Sequence, residues 1–548
     1  MAGLATAFGS GAMTNSIAEV EKSEVILITG TNTTENHPVI GSMMRRAVNN
    51  GAKLIVADPR RIDLVEFSEI AMSQKPGTDV AWINGMMNVI IDEGLYDKEF
   101  VKKRTEKFEE MAAVVKKYTP EYVEKITTIP GDKIVEAARK FAAGKPSAIY
   151  YAMGITQHTS GTDNVLSLAN LAMLTGNMGI EGGGVNPLRG QNNVQGACDV
   201  GGLPNVYPAY QKVVDKDANK KFTEAWKPLS PLSDKVGLTI MEMMEGANKG
   251  TVKALYIMGE NPMLSDPDLT HVEESLKKLD FLVVQDIFMT ETALLADVVL
   301  PGVSFAEKSG TFTNTERRVQ MVNAAVSPVG ESKQDWEIIS EISTRMGYPM
   351  SYNDPEEIFD EMRSLTPSYG GITYKRIETT GLQWPCPGED HPGTKFLHVD
   401  KFVRGLGLFS AVEFREPAEL TDKQYPLILT TGRVRAQYHT GSMTRRSVGL
   451  DYLSPDGFVE INPKDAAKLK IKDSDTAKIA SRRGEVAARA WVTERTPEGV
   501  VFMPFHFAES AANVLTNTAL DPVGKIPEYK VCAVKIYKED AKREAKGK

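Results

Sequence analysis

One strand–helix–strand pattern occurs twice in this chain of 548 residues. In the first copy, an apolar run closed by Gly30 precedes a helical stretch and a second apolar run closed by Asp58. The residues at matching positions of the two copies are Gly30 and Gly259, Asn32 and Asn261, and Asp58 and Asp286. The glycine and the aspartate are 28 positions apart in the first copy and 27 in the second. Because such a pattern forms parallel sheets, the sequence predicts two duplicated dinucleotide-binding-like domains.

A different pattern follows Tyr425, where short apolar segments alternate with turns. These segments begin at Leu427, Phe458, Thr476, Ser481 and Gly499. Several short strands at close spacing are typical of a β-barrel. The predicted fold is therefore α/β, with two pseudo-duplicated parallel-sheet domains and a C-terminal β-barrel domain.

These patterns predict four domains. Residues 1–191 form the first dinucleotide-binding-like domain, and residues 192–303 form the second, which returns at about 333–354. Residues 304–332 and 355–400 form a mixed connecting domain, and residues 401–548 form the barrel domain. The prolines next to Trp384 indicate a linker. From Lys538 onward we expect a solvated helix end or a frayed tail.

Composition and charge argue against several classes of protein. The net charge is −8 and no basic stretch stands out, so nucleic acid is not expected as a partner. No apolar run reaches the roughly 18 residues of a membrane span, and the first residues lack the regions of a signal peptide, so we expect a cytoplasmic chain without a membrane span. Three cysteines and histidines without HxxH or HExxH spacing predict no metal ligands in this chain.

The duplicated units suit a nucleotide ligand. A glycine such as Gly30 lets a phosphate approach a helix N-terminus, and an acid such as Asp58 accepts hydrogen bonds from ribose or guanine. A single unit of this kind, without GxGxxG or a Walker motif, is more often an ordinary strand–helix connection of an α/β fold that binds no nucleotide. Two equivalent units favour a ligand with two equivalent nucleotide ends.

Arg189 lies in the most glycine-rich part of the chain. Nine of the 27 residues from 176 to 202 are glycine, which lets backbone approach a ligand closely. The Arg189 guanidinium suits bidentate binding of a carboxylate or phosphate, or else a structural pairing with Asp199 or a backbone carbonyl. A second group of donors, Arg433 with Tyr438, His439 and Thr440, suits phosphate binding or a solvated basic loop.

Several long motifs carry a resemblance to a known family. They are MGITQHTSGTDNVLSLANLAMLTGNMGIEGGGVNPLRGQNNVQGACD, YIMGENP, VVQDIFMTETALLADVVLPGVSFAEKSGTFTNTERRVQ, TGRVRAQYHTGSMTR and IPEYKVCAV. Together they resemble the catalytic (alpha) subunit of molybdenum- or tungsten-dependent formate dehydrogenases, which are bis-molybdopterin guanine dinucleotide oxidoreductases. VNPLRGQNNVQGACD indicates the formate branch. The resemblance implies the reversible conversion of formate to CO₂, a proton and two electrons.

The resemblance also implies roles for individual residues. Residues that would line one dinucleotide or its pterin are Gly30, Asn32, Asp58, Arg60, Gly77, Asp79, Met153 and Gln157. Residues that would line the other dinucleotide are Gly259, Asn261, Gln285, Asp286 and Asp335. Residues that would close over the pterins are Gln191, Arg433, Tyr438, Asn513, Tyr529 and Lys530. The arginine that holds formate in the family matches Arg189, which favours the catalytic interpretation of this residue.

The sequence departs from the family at its start. Related subunits begin with a cysteine-ligated [4Fe-4S] domain and reach a Cys or selenocysteine metal ligand before a segment like VAGL, whereas this chain starts at Met1 with MAGL. We expect the chain to be the part downstream of an in-frame UGA selenocysteine codon, and therefore incomplete for activity. An iron–sulfur cluster is expected in the complete protein but is not ligated by this chain.

The resemblance implies partners and leaves two alternatives. Expected partners are formate or CO₂ and iron–sulfur electron-transfer subunits, with a hydrogenase, a ferredoxin, an NAD- or a deazaflavin-reducing subunit as the acceptor. The alternatives are another molybdopterin oxidoreductase, such as a nitrate reductase, and a non-catalytic structural subunit of an electron-transfer complex.

Overall fold

The structure, a computed structural model, describes residues 1–539. They divide into two compact units. The first unit comprises Met1–Leu188, Leu264–His271 and the chain from Phe396 onward; the second comprises Arg189–Met263 and Val272–Lys395. Of the tail expected from Lys538 onward, Lys538 ends a strand and residues 540–548 lie outside the described residues.

The first unit contains a five-stranded parallel sheet. Its strands, in spatial order, are Ile70–Met72, Lys53–Ala57, Val25–Thr29, Ser147–Tyr151 and Val185–Pro187. The strand Val25–Thr29 is buried along its whole length, as the strands of a sheet covered on both faces are. Helices cover the sheet, so the predicted first βαβ unit is confirmed.

The helices of this unit differ in how much of their surface is buried. Gly161–Leu174 is buried nearly all round and ends before Gly176, as the sequence predicts. Asp79–Asp92 is similarly enclosed, and its Trp82 is fully buried. The other helices of the unit are Ala2–Phe8, Thr33–Asn36, Pro38–Asn49, Lys98–Arg104, Phe108–Val115, Pro120–Thr127, Gly131–Ala143, Met153–Thr156, Val448–Leu453 and Pro463–Leu469. A two-stranded pairing joins Thr105–Glu106 to Gly407–Leu408.

The first unit also contains a closed six-stranded barrel, which confirms the C-terminal β-barrel of the predicted fold class. Its strands in spatial order are Leu427–Gly432, Val500–Pro504, Phe458–Ile461, Glu485–Val492, Thr476–Ala480 and Cys532–Lys538. The strand expected from Ser481 begins only at Glu485. The reason is a turn, in which the Ser481 backbone N–H donates to the Gly484 carbonyl at 2.9 Å.

The second unit contains a three-stranded parallel sheet in the order Val298–Pro301, Phe281–Asp286 and Ala254–Met258, so the second predicted βαβ unit is confirmed. An antiparallel sheet has the strands Gly310–Thr313, Arg318–Val322 and Leu382–Gln383, and Val206–Tyr207 pairs with Gln211–Lys212. The helices that lie wholly in this unit are Val194–Asp199, Lys216–Trp226, Ile240–Asn248, Asp335–Arg345, Pro355–Ser364 and Tyr374–Ile377. Two helices follow Met258 in the chain, Pro262–Ser265 and Leu269–Leu276.

The linker predicted at Trp384 lies too early in the chain, because the second unit continues to Lys395. Trp384 and Cys386 are buried in the second unit, directly after the strand Leu382–Gln383. The Trp384 backbone N–H donates to the Arg317 carbonyl, and Arg317 is itself fully buried. Among the described residues, no helix is long and apolar enough to cross a membrane. The fold class predicted from the sequence is confirmed.

Candidate cofactor and substrate sites

Gly30 directly follows the strand Val25–Thr29 and has a left-handed backbone conformation, with φ +55°. Its carbonyl accepts a hydrogen bond from the Gly154 N–H at 2.9 Å. Glycine occupies such a position without steric cost and leaves room for backbone to approach a ligand. Met153 and Gln157, predicted beside the pterin, lie at the two ends of the short helix that contains Gly154.

Asn32 follows Gly30 with both polar side-chain atoms buried. Neither its Oδ1 nor its Nδ2 has a hydrogen-bond partner within residues 1–539, and the same holds for the Thr31 hydroxyl. Unsatisfied buried amide groups are rare, because each costs about 1–3 kcal/mol. A polar ligand at the end of this strand would satisfy them. This part of the first unit therefore fits a nucleotide or pterin group.

Asp58 lies after the second strand, in a group of buried charges. Burial, opposed in part by a hydrogen bond from the Arg60 N–H at 2.9 Å, raises the pKa of its carboxyl to about 6. Burial and the nearby charge of Arg433 together lower the pKa of Lys530 to about 7. The Lys530 Nζ donates to the Thr431 carbonyl at 2.6 Å. The structure thus brings together predicted residues that are hundreds of positions apart in sequence, in a cluster suited to an anionic ligand.

Arg60 forms an ion pair with Glu460, a partner that the sequence did not indicate. Its Nε and Nη2 donate to the two carboxylate oxygens of Glu460 at 3.0 and 2.7 Å. Glu460 is fully buried in a barrel strand, and the Arg60 guanidinium lies 3.4 Å from the ring centroid of Phe502. Such a bidentate, stacked pair is rigid.

Asp79 is the first residue of its helix and is buried. Its Oδ1 accepts from the Gln74 and Trp82 side chains, each at 3.3 Å. Its Oδ2 lies 3.8 Å from Nε2 of His158, a residue not singled out from the sequence. Burial raises the pKa of Asp79, and His158 and the hydrogen bonds oppose this. Gly77 lies two residues before Asp79 and has a left-handed backbone conformation, with φ +84°. A Cβ built on Gly77 would lie 2.5 Å from the Pro417 ring.

Arg433 and Tyr438 lie in the loop after the first barrel strand. Burial lowers the pKa of the Arg433 guanidinium. Burial and the charge of Arg433 lower the pKa of His439 to about 3. Burial and Arg433 also lower the pKa of His506 to about 4, although a backbone hydrogen bond with His439 opposes this shift. Both histidines are therefore neutral at pH 7. The Tyr438 side chain is about one third exposed.

Asn513 and Tyr529 hold one backbone segment. The Asn513 Nδ2 donates to the Leu264 and Ser265 carbonyls at 2.9 and 3.1 Å. The Tyr529 hydroxyl donates to the same Ser265 carbonyl at 3.0 Å. Both side chains therefore fix the segment that begins at Leu264.

The second unit repeats the glycine and asparagine with a different chemistry. Gly259 is also left-handed, with φ +62°. The Asn261 Oδ1 accepts from the Thr292 hydroxyl at 2.7 Å, and its Nδ2 donates to Glu291 at 2.7 Å. Asn261 is thus satisfied by protein groups, whereas Asn32 is not.

Gln285 and Asp335 are also brought together in the second unit. The Gln285 Nε2 donates to the Asp335 Oδ1 at 2.7 Å, and Lys308 pairs with the Asp335 Oδ2 at 2.5 Å. Lys308 was not found from the sequence. Asp286 follows Gln285 and accepts the Ile287 N–H at 2.6 Å. These residues form one polar group at the carboxyl end of the parallel strands, where ligands bind in open α/β sheets.

Arg189 lies in the second unit and is partly buried. Its Nε and Nη2 donate to the Gln195 Oε1 at 3.2 and 3.0 Å, and its backbone N–H donates to the Thr315 hydroxyl at 3.2 Å. Gln195 in turn donates to Asp199 at 2.8 Å. The two residues proposed from the sequence as a structural pair are therefore joined through Gln195. Gln191 lies on the exposed part of the loop between Arg189 and Gln195.

Asp199 accepts hydrogen bonds on both carboxylate oxygens. Gln195 and the Tyr210 hydroxyl donate to Oδ1, and the Tyr369 hydroxyl and the Trp384 indole N–H donate to Oδ2. Burial raises the pKa of Asp199, and the four donors counteract the rise. The short sequence spacing of Gln195 and Asp199 could have suggested their contact, but nothing local pointed to Tyr369 or Trp384.

Among the described residues, no group of three or more His, Cys, Asp or Glu side chains is arranged to hold a metal ion. What the two units offer instead is polar and charged groups at the carboxyl ends of parallel strands, and one arginine on a glycine-rich loop. These groups suit the binding of dinucleotides and of a small anion.

Comparison with known proteins agrees with this chemistry. The family model for molybdopterin oxidoreductase matches residues 3–345, and the model for the Molydopterin dinucleotide binding domain matches residues 427–533. The chain is 57% identical to "F420-dependent formate dehydrogenase subunit alpha" of Methanocaldococcus jannaschii, over 97% of this chain and 79% of that protein. It is 43% identical to "Formate dehydrogenase H" of Escherichia coli, over 98% of this chain and 76% of that protein.

A solved structure shares the fold. Acetylene hydratase from Pelobacter acetylenicus superposes with a TM-score of 0.78 at 23% identity, over 98% of this chain and 80% of that one. Because the identity is low, this likeness concerns the fold alone. The resemblance drawn from the motifs is confirmed by the family match and by the relatives. The chain belongs to the molybdopterin oxidoreductase family, among the formate dehydrogenase alpha subunits.

Proposed function

We propose that this chain is the catalytic subunit of a formate dehydrogenase, which converts formate to CO₂, a proton and two electrons in a reversible reaction. The observation that carries the proposal is Arg189, a hydrogen-bonded arginine on a glycine-rich loop, in a chain that is 57% identical to a formate dehydrogenase subunit. Formate has almost no apolar surface, so a guanidinium is the group best suited to orient it.

The cofactor we propose is bis-molybdopterin guanine dinucleotide with Mo or W, which supplies the two-electron redox chemistry when bound. In the first unit, the unsatisfied Asn32 amide and the buried cations Arg433 and Lys530 fit one anionic dinucleotide. In the second unit, the left-handed Gly259 and the Gln285–Asp335 pair fit the other. The contacts with the cofactor that stay predictions include those of Gly77, Asp79, Met153, Gln157, Gln191, Asp286, Tyr438, Asn513 and Tyr529.

The chain's own residues bind and orient the substrate. The Arg189 guanidinium holds the formate carboxylate through charge-assisted hydrogen bonds, and its hydrogen bonds to Gln195 fix the plane in which it does so. The neutral state of His439 and His506 at pH 7 keeps further positive charge out of the loop that contains Arg433. Because Gln195 holds the Arg189 guanidinium in place before formate binds, the entropic cost of reaching a reactive geometry is lower.

Electrons leave through partner subunits in this proposal. The relative that is named as F420-dependent supports a deazaflavin acceptor over NAD, a ferredoxin or a hydrogenase. An iron–sulfur cluster, a Cys or selenocysteine metal ligand and a cytoplasmic location stay predictions from the sequence.

The test uses the holoenzyme that contains this chain. We expect formate-dependent reduction of a viologen dye and no nitrate-dependent oxidation of the reduced dye. Nitrate-dependent oxidation without formate activity would instead indicate an oxo-anion reductase. A native complex that contains neither Mo nor W would indicate a structural subunit and would refute the proposal.

A further inference from the structure

The orientation of the Gln195 side-chain amide is determined by its neighbours. Its Nε2 lies 2.8 Å from Asp199 Oδ1 and 2.9 Å from the Tyr210 hydroxyl, and its Oε1 faces Arg189. An ionised carboxylate only accepts hydrogen bonds and a guanidinium only donates them. Reversing the amide would therefore place its oxygen against the Asp199 carboxylate, acceptor against acceptor, and its NH₂ group against the Arg189 guanidinium, donor against donor. Asp199 thus decides which end of Gln195 faces Arg189.

Asp199 is itself held from several parts of the second unit. It is 1% exposed, and its donors include Tyr369 and Trp384, which are 170 and 185 positions away in sequence. Gln195 and Asp199 are four residues apart on the helix Val194–Asp199, so their side chains lie on one face. The carboxylate therefore has a fixed position from which to orient the amide.

We propose that Asp199, acting through Gln195, is the positioning residue that directs the Arg189 guanidinium at the carboxylate of formate. This inference rests on the proposed function, in which Arg189 binds formate. Asp199 does not touch the substrate; it sets the orientation of the group that does.

An amide at position 195 also preserves the charge of Arg189. A carboxylate there would accept the same hydrogen bonds but would form an ion pair with the guanidinium and compete with formate. The amide accepts a hydrogen bond without carrying a charge. Gln195 therefore fixes the orientation of the Arg189 guanidinium without neutralising its positive charge.

The first test is a double-mutant cycle in the holoenzyme. Asp199→Asn and Gln195→Leu should each raise the KM for formate about 10- to 100-fold, which corresponds to the loss of a charge-assisted hydrogen bond. If Asp199 acts through Gln195, the double variant should have the KM of Gln195→Leu alone. Additive effects on KM, or an unchanged KM in Asp199→Asn, would overturn the inference.

Asp521→Asn is a matched control. Asp521 is also 1% exposed and accepts several hydrogen bonds, among them those from the Thr162 N–H and hydroxyl. Its loss should reduce thermal stability and leave the KM for formate unchanged. Tyr369→Phe removes only one donor to Asp199, so it tests the same chain of contacts in a variant that retains the core. A rise in KM is expected there too, and an unchanged KM in Tyr369→Phe counts against the inference.

Gln195→Glu supplies a readout that a purely structural role would not change. Its carboxylate should raise the KM for formate at neutral pH, and protonation of that carboxyl at lower pH should partly restore it. The pH profile of KM for the variant should therefore differ from that of the wild type, whereas parallel profiles would contradict the inference. Arg189 and Asp199 are the charged groups that face this side chain, and Tyr210 and Cys198 are titratable groups beside them.

A crystal structure of Asp199→Asn separates the two proposals. We expect a displaced Gln195 amide and a changed Arg189 guanidinium plane. An unchanged guanidinium would overturn the positioning role, whatever the substrate. If the wild-type holoenzyme does not turn over formate, the proposed function fails on its own, and the structure of the variant still decides whether Asp199 positions Arg189.

Discussion

Gly30 and Gly154 contact each other through their backbones. A Cβ built on Gly154 would lie 2.5 Å from the Gly30 Cα and 2.6 Å from its carbonyl oxygen. Backbone atoms cannot move aside as the end of a flexible side chain can. The contact therefore requires glycine at position 154, which lies beside the strand end where Asn32 is unsatisfied.

Gly154→Ala should destabilise the first unit. The added methyl group forces the two backbone segments apart, and overpacking of this kind costs about 1–3 kcal/mol. Thermal unfolding should show a lower melting temperature, and the holoenzyme should retain less pterin. Gly449→Ala is the control, because nothing lies within 4 Å of the Cβ that it adds on an exposed helix. Equal melting temperatures for the two variants would contradict the steric argument.

Asn32→Ala should separate stability from cofactor retention. The variant removes buried polar atoms that have no partner in the protein, so the cofactor-free chain should unfold at the same temperature or higher. The guanine nucleotide content of the purified holoenzyme should fall. Asn261→Ala should instead lower stability, since it leaves Glu291 and Thr292 without their partner. A stability loss in Asn32→Ala equal to that in Asn261→Ala would show that Asn32 is structural.

The strands could be predicted because apolar runs mark buried parallel strands directly. Predicted and observed bounds agree closely for Val25–Thr29, Lys53–Ala57 and Phe281–Asp286. The errors arose where distant contacts override a local signal. Prolines around Trp384 indicated a linker, but its indole N–H donates to Asp199, and no feature near Trp384 in the sequence shows this.

The motifs indicated candidate site residues, but they did not indicate which contacts those residues make. The motifs indicated Arg60 and Arg189, but the partners of both depend on side chains that the fold brings close. Glu460 is 400 positions from Arg60, and its burial makes it a fixed acceptor. Gln195 is only six positions from Arg189, yet its orientation depends on Asp199.

Lys530 should make stability depend on pH above 7. Burial lowers its pKa to about 7, whereas an unfolded lysine titrates near about 10.4. Between these values the unfolded chain binds more protons than the folded chain, so the free energy of unfolding rises with pH, by up to about 1.4 kcal/mol per pH unit. Lys530→Met should abolish this contribution.

The measurement compares the unfolding free energies of the wild type and Lys530→Met at pH 7.5 and 9.5. The advantage of the variant should shrink as the pH rises. Asp58, whose pKa is raised to about 6, changes stability below this window and does not interfere. Lys116→Met, at an exposed site, is the control and should show no such trend. A difference that is independent of pH would mean that Lys530 is not buried in a charged environment.

Arg60→Ala should lower stability by about 3 kcal/mol, because it leaves the Glu460 carboxylate buried without its bidentate partner. Arg495 lies 3.7 Å from the same carboxylate and compensates only in part. Arg139→Ala breaks the exposed pair with Glu93 and should change little. Chemical denaturation of the three proteins measures both effects. If Arg60→Ala unfolds like Arg139→Ala, the buried pair does not hold the barrel strand to the sheet.

Arg189→Lys should raise the KM for formate by about 10- to 100-fold in the holoenzyme. Lysine keeps the positive charge but lacks the planar fork, so it cannot keep both hydrogen bonds to the Gln195 Oε1 while it holds a carboxylate. Steady-state kinetics with formate and a viologen dye measure the effect, and Arg139→Lys at the surface is the control. Because only substrate binding is altered, Mo or W content and guanine nucleotide content should match the wild type. An unchanged KM at full cofactor content would refute the assigned role of Arg189.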